Sequence, residues 1–258
     1  LVHLIFGTGV VFFPGSDIVS GMFSRFIVNG SIMSGARLAL EGDEVHHAAR
    51  VARVRSGEKV EVFDGRGTAA EAIVVEVTRD RVLLEVGSLI PSREAPVEIV
   101  LAAALIAPER FELVLQKGCE LGVARFIPTI TSRVETRVER VQGKAERWQR
   151  VILEATKQCG RAVLPRLDDP TPLARLLETE TGLVVFDADV QPDPWPARGL
   201  THVTLVIGPE GGLSPDEISS AREAGASVCS LGPRRLRAET AAIAAVTIAE
   251  TLFGDLPA

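Results

Sequence analysis

The chain has 258 residues, 46% of them hydrophobic, which suits one large domain or two modest ones with a real core. A net charge of -6 and a pI near 5.4 exclude a protein that grips nucleic acid by bulk charge, though not one with a local basic face. Tyrosine is absent and aromatics make up only 5%, so a base-stacking platform is poorly supplied, and any RNA recognition falls to arginines and shape.

Residues 1–21 stand apart. Leu1 to Phe13 is apolar, but Gly7, Thr8 and Gly9 interrupt it, and it is too short to span a bilayer. It lacks the basic residues that open a secretory signal, so an upstream extension or leader is expected, with an extra strand as the plainer alternative. From Met22 to about Ser88 the pattern is strand-rich. Lys59 to Phe63 alternates with period two and meets the turn Asp64-Gly65-Arg66-Gly67. Ala69–Val77 and Arg81–Val86 are further strands, and Asp43–Val54 is a short helix with Val45, Ala48, Ala49 and Ala52 as its apolar stripe. Residues 22–90 therefore read as a small β-barrel-like module. Pro91 to Pro96 reads as a linker, because two prolines discourage both helix and ladder.

From Val97 the rhythm becomes strand and helix in alternation. Strands are expected at Val97–Ala104, Arg125–Ile130, Gly182–Asp187, His202–Ile207 and Ser227–Leu231. Helices are expected at Glu109–Leu121, stopped by Gly122, and at Lys144–Gly160. Such alternation implies an α/β unit over residues 97–258, its parallel sheet covered by helices on both faces. Ser214, Pro215 and Glu217 form an N-cap, first-turn proline and capping box for another helix. The last helix, Glu239–Phe253, is apolar or small on nearly every face and must be buried, in the core or against a second subunit.

Two glycine-bearing turns, each fed by an apolar strand, carry the chemistry. One is Gly208-Pro-Glu-Gly-Gly212; the other is Leu231-Gly-Pro-Arg-Arg-Leu-Arg237, running into Glu239 and Thr240. Side by side at the carboxyl ends of a parallel sheet, they build a crevice for a small polar molecule. The first is neither a P-loop nor a dinucleotide fingerprint, since Gly-Lys-Ser/Thr and G-x-G-x-x-G are both absent; alone, it reads equally as a tight connection. In the second, Arg234, Arg235 and Arg237 are either a solvated turn or a guanidinium set where negative charge develops.

In the helix from Lys144, Arg147, Arg150, Glu154, Gln158 and Arg161 share one face, with Trp148, Ile152, Ala155 and Cys159 on another. Ser132 to Arg166 holds nine Lys or Arg against four Glu, an excess of five that suggests phosphate contacts, although most charged helix faces are merely solvated. Cys119, Cys159 and Cys229 form no Cys-x-x-Cys pair and suit a reduced cytoplasmic protein, with Cys159 a packing residue. His3, His46, His47 and His202 have no zinc-like spacing, so no metal is expected.

Ile207 to Ile218 together with Leu231 to Ala241 resembles the RsmE family of SPOUT methyltransferases, which methylate N3 of a uridine in 16S ribosomal RNA of the small subunit. Gln116 to Gly122, Gln158 to Arg161, Phe253 to Leu256 and the opening Phe23-Ser-Arg-Phe26 agree with it. The resemblance runs from about Met22 to the end and leaves 1–21 without a counterpart. Ala238, where many relatives carry threonine, is a mild departure that removes any hydroxyl role there.

The resemblance implies a PUA-like RNA-binding module over 22–90, a C-terminal trefoil knot and a homodimer formed through the knotted domain. It also implies S-adenosylmethionine as cofactor, contacted by Ile207, Gly208, Pro209, Glu210, Gly211, Gly212, Leu231, Gly232, Leu236, Arg237, Thr240 and Ala241. Arg237 is the leading catalytic candidate, and the base is Glu239 or solvent. Arg25, Arg147, Arg150, Gln158 and Arg161 are the candidate RNA contacts, with Glu120 a further candidate at substrate or dimer. A non-catalytic RNA-binding or assembly factor is the competing reading, opposed by the intact glycine motifs. An α/β hydrolase fails for want of Gly-x-Ser-x-Gly.

Overall fold

The computed structural model describes residues 23–134, 143–197 and 199–257. The expected leader over 1–21, and Arg137 and Arg140 of the basic stretch, lie outside the described residues. Alternating apolar residues near the N-terminus build a five-stranded sheet from β1 (Arg25–Ile27), β2 (Arg37–Ala39), β3 (Lys59–Phe63), β4 (Ala69–Val77) and β5 (Val82–Ile90). Their order is β1-β3-β4-β5-β2, with β1 parallel to β3 and the other pairs antiparallel. Phe26, Val60, Val62, Ala70, Ala72, Val74 and Leu84 share one core beneath it.

The helix expected over Asp43–Val54 takes a different form. Only α1 (Asp43–His46) is α-helical; His47–Ala52 widens into a π-helical turn, and Arg53 closes it in the left-handed conformation (φ 55°). Gly42 at its start supplies no capping oxygen, and so short a helix has little to hold it in register. Strands β1 and β2 are too short and too weakly alternating to be seen in the sequence.

The second unit alternates β6 (Glu98–Ala104), α2 (Pro108–Glu120), β7 (Arg125–Ile130), α3 (Ala145–Cys159), β8 (Arg166–Leu167), β9 (Thr171–Pro172), α4 (Leu173–Thr179), β10 (Leu183–Phe186), β11 (His202–Ile207), α5 (Pro215–Glu223), β12 (Ser227–Cys229) and α6 (Ala238–Phe253). All sheet pairings here are parallel, in the order β12-β10-β11-β6-β7-β8, and β9 also pairs with β7. The period of two divides the buried strands between two cores. Ile99, Leu101, Val203 and Leu205 pack with Phe111, Leu115, Ile152 and Ala245, on the side of α2, α3 and α6. Val100, Ala102, Val185 and Val206 pack with Leu173, Leu176, Ile218 and Ala221, on the side of α4 and α5. Helix α4 escapes the sequence reading because its stripe, Leu173, Leu176 and Leu177, spans barely one turn directly after Pro170 and Pro172.

Helix α6 is not uniformly buried. Ala242, Ala245, Val246, Ala249 and Phe253 face the core, while Ile243, Ala244, Ile248 and Leu252 are half-buried on the other side. Among the described residues no helix is long and apolar enough to cross a membrane.

The two sheets are joined through a polar seam. The Arg25 guanidinium donates from Nη1 to the carbonyls of Thr156 (2.9 Å) and Lys157 (3.1 Å), and from Nη2 to that of Arg161 (3.1 Å). Its Nε lies 2.8 Å from Glu61, and the group stacks over Phe63. The segment Pro91–Pro96 is irregular but no loose tether. Glu94 accepts from the backbone N–H groups of Ala162 and Val163 (3.1 Å each) and pairs with Arg161 at 2.7 Å.

Candidate active site

In the sheet order, β10 lies between β12 and β11, so the turns leaving β11 and β12 flank the end of β10. They enclose a cleft of about 700 Å³, mouth included, within the range of small-molecule sites. Its wall takes in Ile207, Gly208, Pro209, Glu210, Gly212, Leu231, Gly232, Leu236 and Ala241 from the sequence-selected positions, together with Phe186, Asp187, Ala188, Asp189, Arg234, Arg235 and Ala238. Gly211, Arg237 and Thr240 are not on that wall.

The turn after β11 is fastened on every side. A Cβ on Gly208 would meet Leu213 Cγ at 3.2 Å and the backbone of Gly212 and Leu213 at 3.3 Å, so any side chain there has to push its neighbours aside. Gly212 takes φ +68° and donates to the Pro209 carbonyl at 2.8 Å. Arg133 Nη1 donates to the carbonyls of Gly211 (2.8 Å) and Leu213 (3.0 Å), drawing those acceptors away from the loop's N–H groups. The capping box at Ser214 and Glu217 is complete, and Glu217 also accepts from Ser132 N (2.7 Å) and Oγ (2.9 Å). Burial alone would raise the Glu217 carboxyl, but these donors hold it below the usual carboxylate range.

The turn after β12 is held lightly. Residues 232–237 are exposed, and Gly232 takes φ +102° with open space where a Cβ would stand. Its ties are a reciprocal contact between Ser230 and Gly232 and an exposed ion pair, Arg235 to Asp189 at 2.7 Å. Arg237 is the N-cap residue of α6; its carbonyl accepts from Ala241 N at 2.8 Å, and its guanidinium has no ion-pair partner among the described residues. The carboxylate of Glu239 is buried in the first turn of α6. Its Oε2 has no hydrogen-bond partner among the described residues, while Oε1 lies 3.9 Å from Arg110 Nε. Arg110, at the start of α2, also donates to Glu210 at 2.9 Å and so bridges the first turn to α6.

Two of the expected RNA contacts are corrected. Arg25 and Arg161 are only 8% and 5% exposed, their guanidinium groups held by backbone carbonyls and carboxylates. They hold the two units together and leave nothing for a phosphate. Arg161 leaves the helical face because α3 ends at Cys159 and Gly160 turns the chain at φ +83°, so 3.6-residue spacing no longer applies. Arg150 and Gln158 are exposed, and Arg150 has no ion-pair partner among the described residues. Arg147 is exposed but paired with Glu112, whose carboxyl the guanidinium pulls down. Glu120 is paired with Lys117 at 2.8 Å.

Cys159 is half-buried, its thiol donating to the Thr156 carbonyl at 3.7 Å; the neighbouring Cys119 thiol lowers the ionisation of Cys159, and that of Cys119 is raised in turn. Neither lines the cleft. Among the described residues no three His, Cys, Asp or Glu gather as a metal site would need. Sequence reasoning missed Asp187, Asp189, Arg110 and Arg133. The carboxylates were findable, since they directly follow a buried strand at the sheet's carboxyl edge. The arginines reach the site across 100 and 78 residues of chain, and no local spacing betrays them.

Residues 93–250 match the model of an RNA methyltransferase domain, and 40–87 that of an RNA methyltransferase PUA domain. Ribosomal RNA small subunit methyltransferase E of Bacillus subtilis is 30% identical over 240 residues, 84% of this chain and 92% of that protein. The Mycobacterium bovis protein of the same name is 33% identical over 83% of this chain and 86% of its own. A solved Legionella pneumophila methyltransferase with bound cofactor SAM superposes with a TM-score of 0.83 at 33% identity, covering 91% of this chain and 99% of that one. The small subunit methyltransferase E of Neisseria gonorrhoeae bound to S-adenosyl methionine gives 0.83 at 29% identity over the same shares. The cleft between two glycine turns thus belongs to a methyltransferase, and the chain is a member of the ribosomal RNA small subunit methyltransferase E family.

Proposed function

We propose that this protein methylates N3 of a uridine in 16S ribosomal RNA of the small subunit, with S-adenosylmethionine as donor. The observation that carries the reading is the cleft between the turns after β11 and β12, with Arg237 between the wall residues Leu236 and Ala238 and its guanidinium without an ion-pair partner among the described residues. The cleft suits the donor. Apolar Phe186, Ile207, Leu231 and Leu236 fit the faces of an adenine, and the glycine turns bring backbone groups within reach of its edge. Once bound, the donor supplies a sulfonium methyl that is electrophilic without further activation.

The chain's own residues then align and control charge. The uracil imide must lose its proton, to Glu239 or to solvent, before the N3 pair can attack in line with the methyl. Carbon–nitrogen bond formation and carbon–sulfur cleavage go together, leaving S-adenosylhomocysteine. The Arg237 guanidinium, brought up by the turn after β12, stabilises the negative charge that spreads to the uracil oxygens.

Residues 22–90 are assigned to RNA docking as a PUA-like module, and 97–258 to methyl transfer. Arg150 and Gln158, with Arg147, face the RNA. The C-terminal segment forms a trefoil knot; the passage from β11 across β10 to β12, followed by α6 returning against β6 and β11, supports this threading. The half-buried stripe of Ile243, Ala244, Ile248 and Leu252 supports a homodimer, which sedimentation tests directly. The substrate places the enzyme in the cytoplasm.

The test is methyl transfer from labelled donor to unmodified small subunits and to naked 16S RNA, with mass mapping of the product. N3-methyluridine at one position is expected. Label on another nucleoside overturns the assignment, and RNA binding without transfer leaves a non-catalytic assembly factor.

A further inference from the structure

We infer that Asp187 is a further cofactor-binding residue, its free carboxylate oxygen receiving the ribose hydroxyls of the donor; this rests on the donor lying in the cleft between the two glycine turns. Strand β10 is the middle of three adjacent strands, so its end lies on the floor between those turns. Asp187 is the first residue past that strand, and its backbone N–H is anchored to the Cys229 carbonyl at 3.1 Å. Its Oδ1 accepts from the Asp189 N–H at 2.8 Å, which fixes the carboxylate plane. Oδ2 has no hydrogen-bond donor among the described residues and stands 3.6 Å from where a Cβ on Gly212 would be. A half-buried carboxylate oxygen is thus pre-oriented over the first glycine turn.

The chemistry selects the part of the ligand. The glycine turns offer backbone N–H groups, which suit acceptors such as ring nitrogens. An acceptor placed between them calls for a donor-bearing group next to the adenine, and the ribose diol is that group. The amino-acid ammonium also donates, but it lies at the opposite end of the molecule. Asp189 is less free, being paired at the exposed rim with Arg235, where an ion pair contributes little and opens readily for ligand entry.

Calorimetry on the full chain tests the assignment with three probes: S-adenosylmethionine, S-adenosylhomocysteine and 5′-methylthioadenosine, the last of which keeps the ribose and lacks the ammonium. Asp187→Asn preserves an acceptor for the Asp189 N–H and is expected to weaken all three alike, by roughly 10- to 100-fold. A loss confined to the two probes that carry the ammonium overturns the ribose assignment, as does an unchanged affinity. Wild-type protein that binds none of the three refutes the location of the donor instead. Deoxyribose forms of S-adenosylhomocysteine on wild-type protein give a second arm that needs no variant. They are expected to lose a comparable factor, and full affinity for them contradicts the proposal.

Discussion

The two glycine turns have similar sequences and opposite mechanical characters. The turn after β11 is crowded at Gly208, braced by Arg133 through two carbonyls and continued into a helix with a complete capping box. The turn after β12 is exposed from Gly232 to Arg237 and joined to its surroundings by a rim ion pair and a serine contact. One wall of the cleft is therefore built before any ligand arrives, and the other is free to adjust. Division of labour follows: the stiff turn sets where the donor sits, and the yielding turn brings Arg237 to the reacting base.

The sharpest way to break this comparison is at Arg237. Arg237→Ala is expected to keep donor affinity, because backbone groups hold the donor, while single-turnover methyl transfer falls about 100- to 1000-fold, roughly 3–4 kcal/mol. A parallel loss of donor affinity would assign Arg237 to the stiff turn's task.

Near its far end, beside Gly122, α6 carries a second buried carboxylate that tests stability apart from the contrast. Burial pushes Glu250 up to about 7 from an ordinary 4.5. Its Oε1 has no hydrogen-bond partner among the described residues, and Oε2 takes only the Asp255 N–H. A carboxyl raised on folding favours the folded state fully below pH 4.5, and that advantage is lost as pH rises through 7. Glu250→Gln should therefore match wild type in denaturant titrations near pH 4 and exceed it at pH 8, by on the order of 3 kcal/mol. Equal stability at both pH values would mean that Glu250 is not desolvated.

Valine in the two turns sharpens the comparison further. Gly208→Val meets Leu213 and the backbone of Gly212 and Leu213, so it should cost about 1–3 kcal/mol of fold stability and abolish donor binding. At Gly232 a Cβ meets no atom within 4 Å but is strained at φ +102°, so Gly232→Val should weaken donor binding while the melting temperature moves less. Identical melting shifts would deny the difference. Gly211, whose Cβ would rest 3.5 Å from Arg133, is a poorer probe than its place in the motif suggests. The smallest expected effects are on α3. Arg150→Ala should weaken RNA binding and reduce its salt slope by about one, and Arg147→Ala less so, because Glu112 already holds that guanidinium.

These choices also mark where the sequence was legible. The strand and helix rhythm from Val97, the capping box at Ser214 and both turns could be read directly, because each rests on spacing within a few residues. Arg25 and Arg161 could not. A buried guanidinium held by carbonyls 131 and 136 residues away has the same local signature as one awaiting a phosphate. Asp187 differs again: its place after a buried strand is readable, its importance is not. Its importance comes from the middle position of β10 between β11 and β12, and strand order is a property of the sheet, not of any segment. Local chemistry thus disclosed the two walls of the cleft, while topology supplied its floor.

Hydrogen exchange of the backbone amides, with and without S-adenosylmethionine, separates the stiff turn from the yielding one. The amides of Gly212 and Ser214, bonded to the Pro209 carbonyl and the Glu217 carboxylate, should exchange slowly in free protein and change little on binding. Those of Gly232 to Arg237 should exchange freely and become protected only with the donor bound. Equal protection of both turns in free protein, or no response of the second turn to the donor, would contradict it.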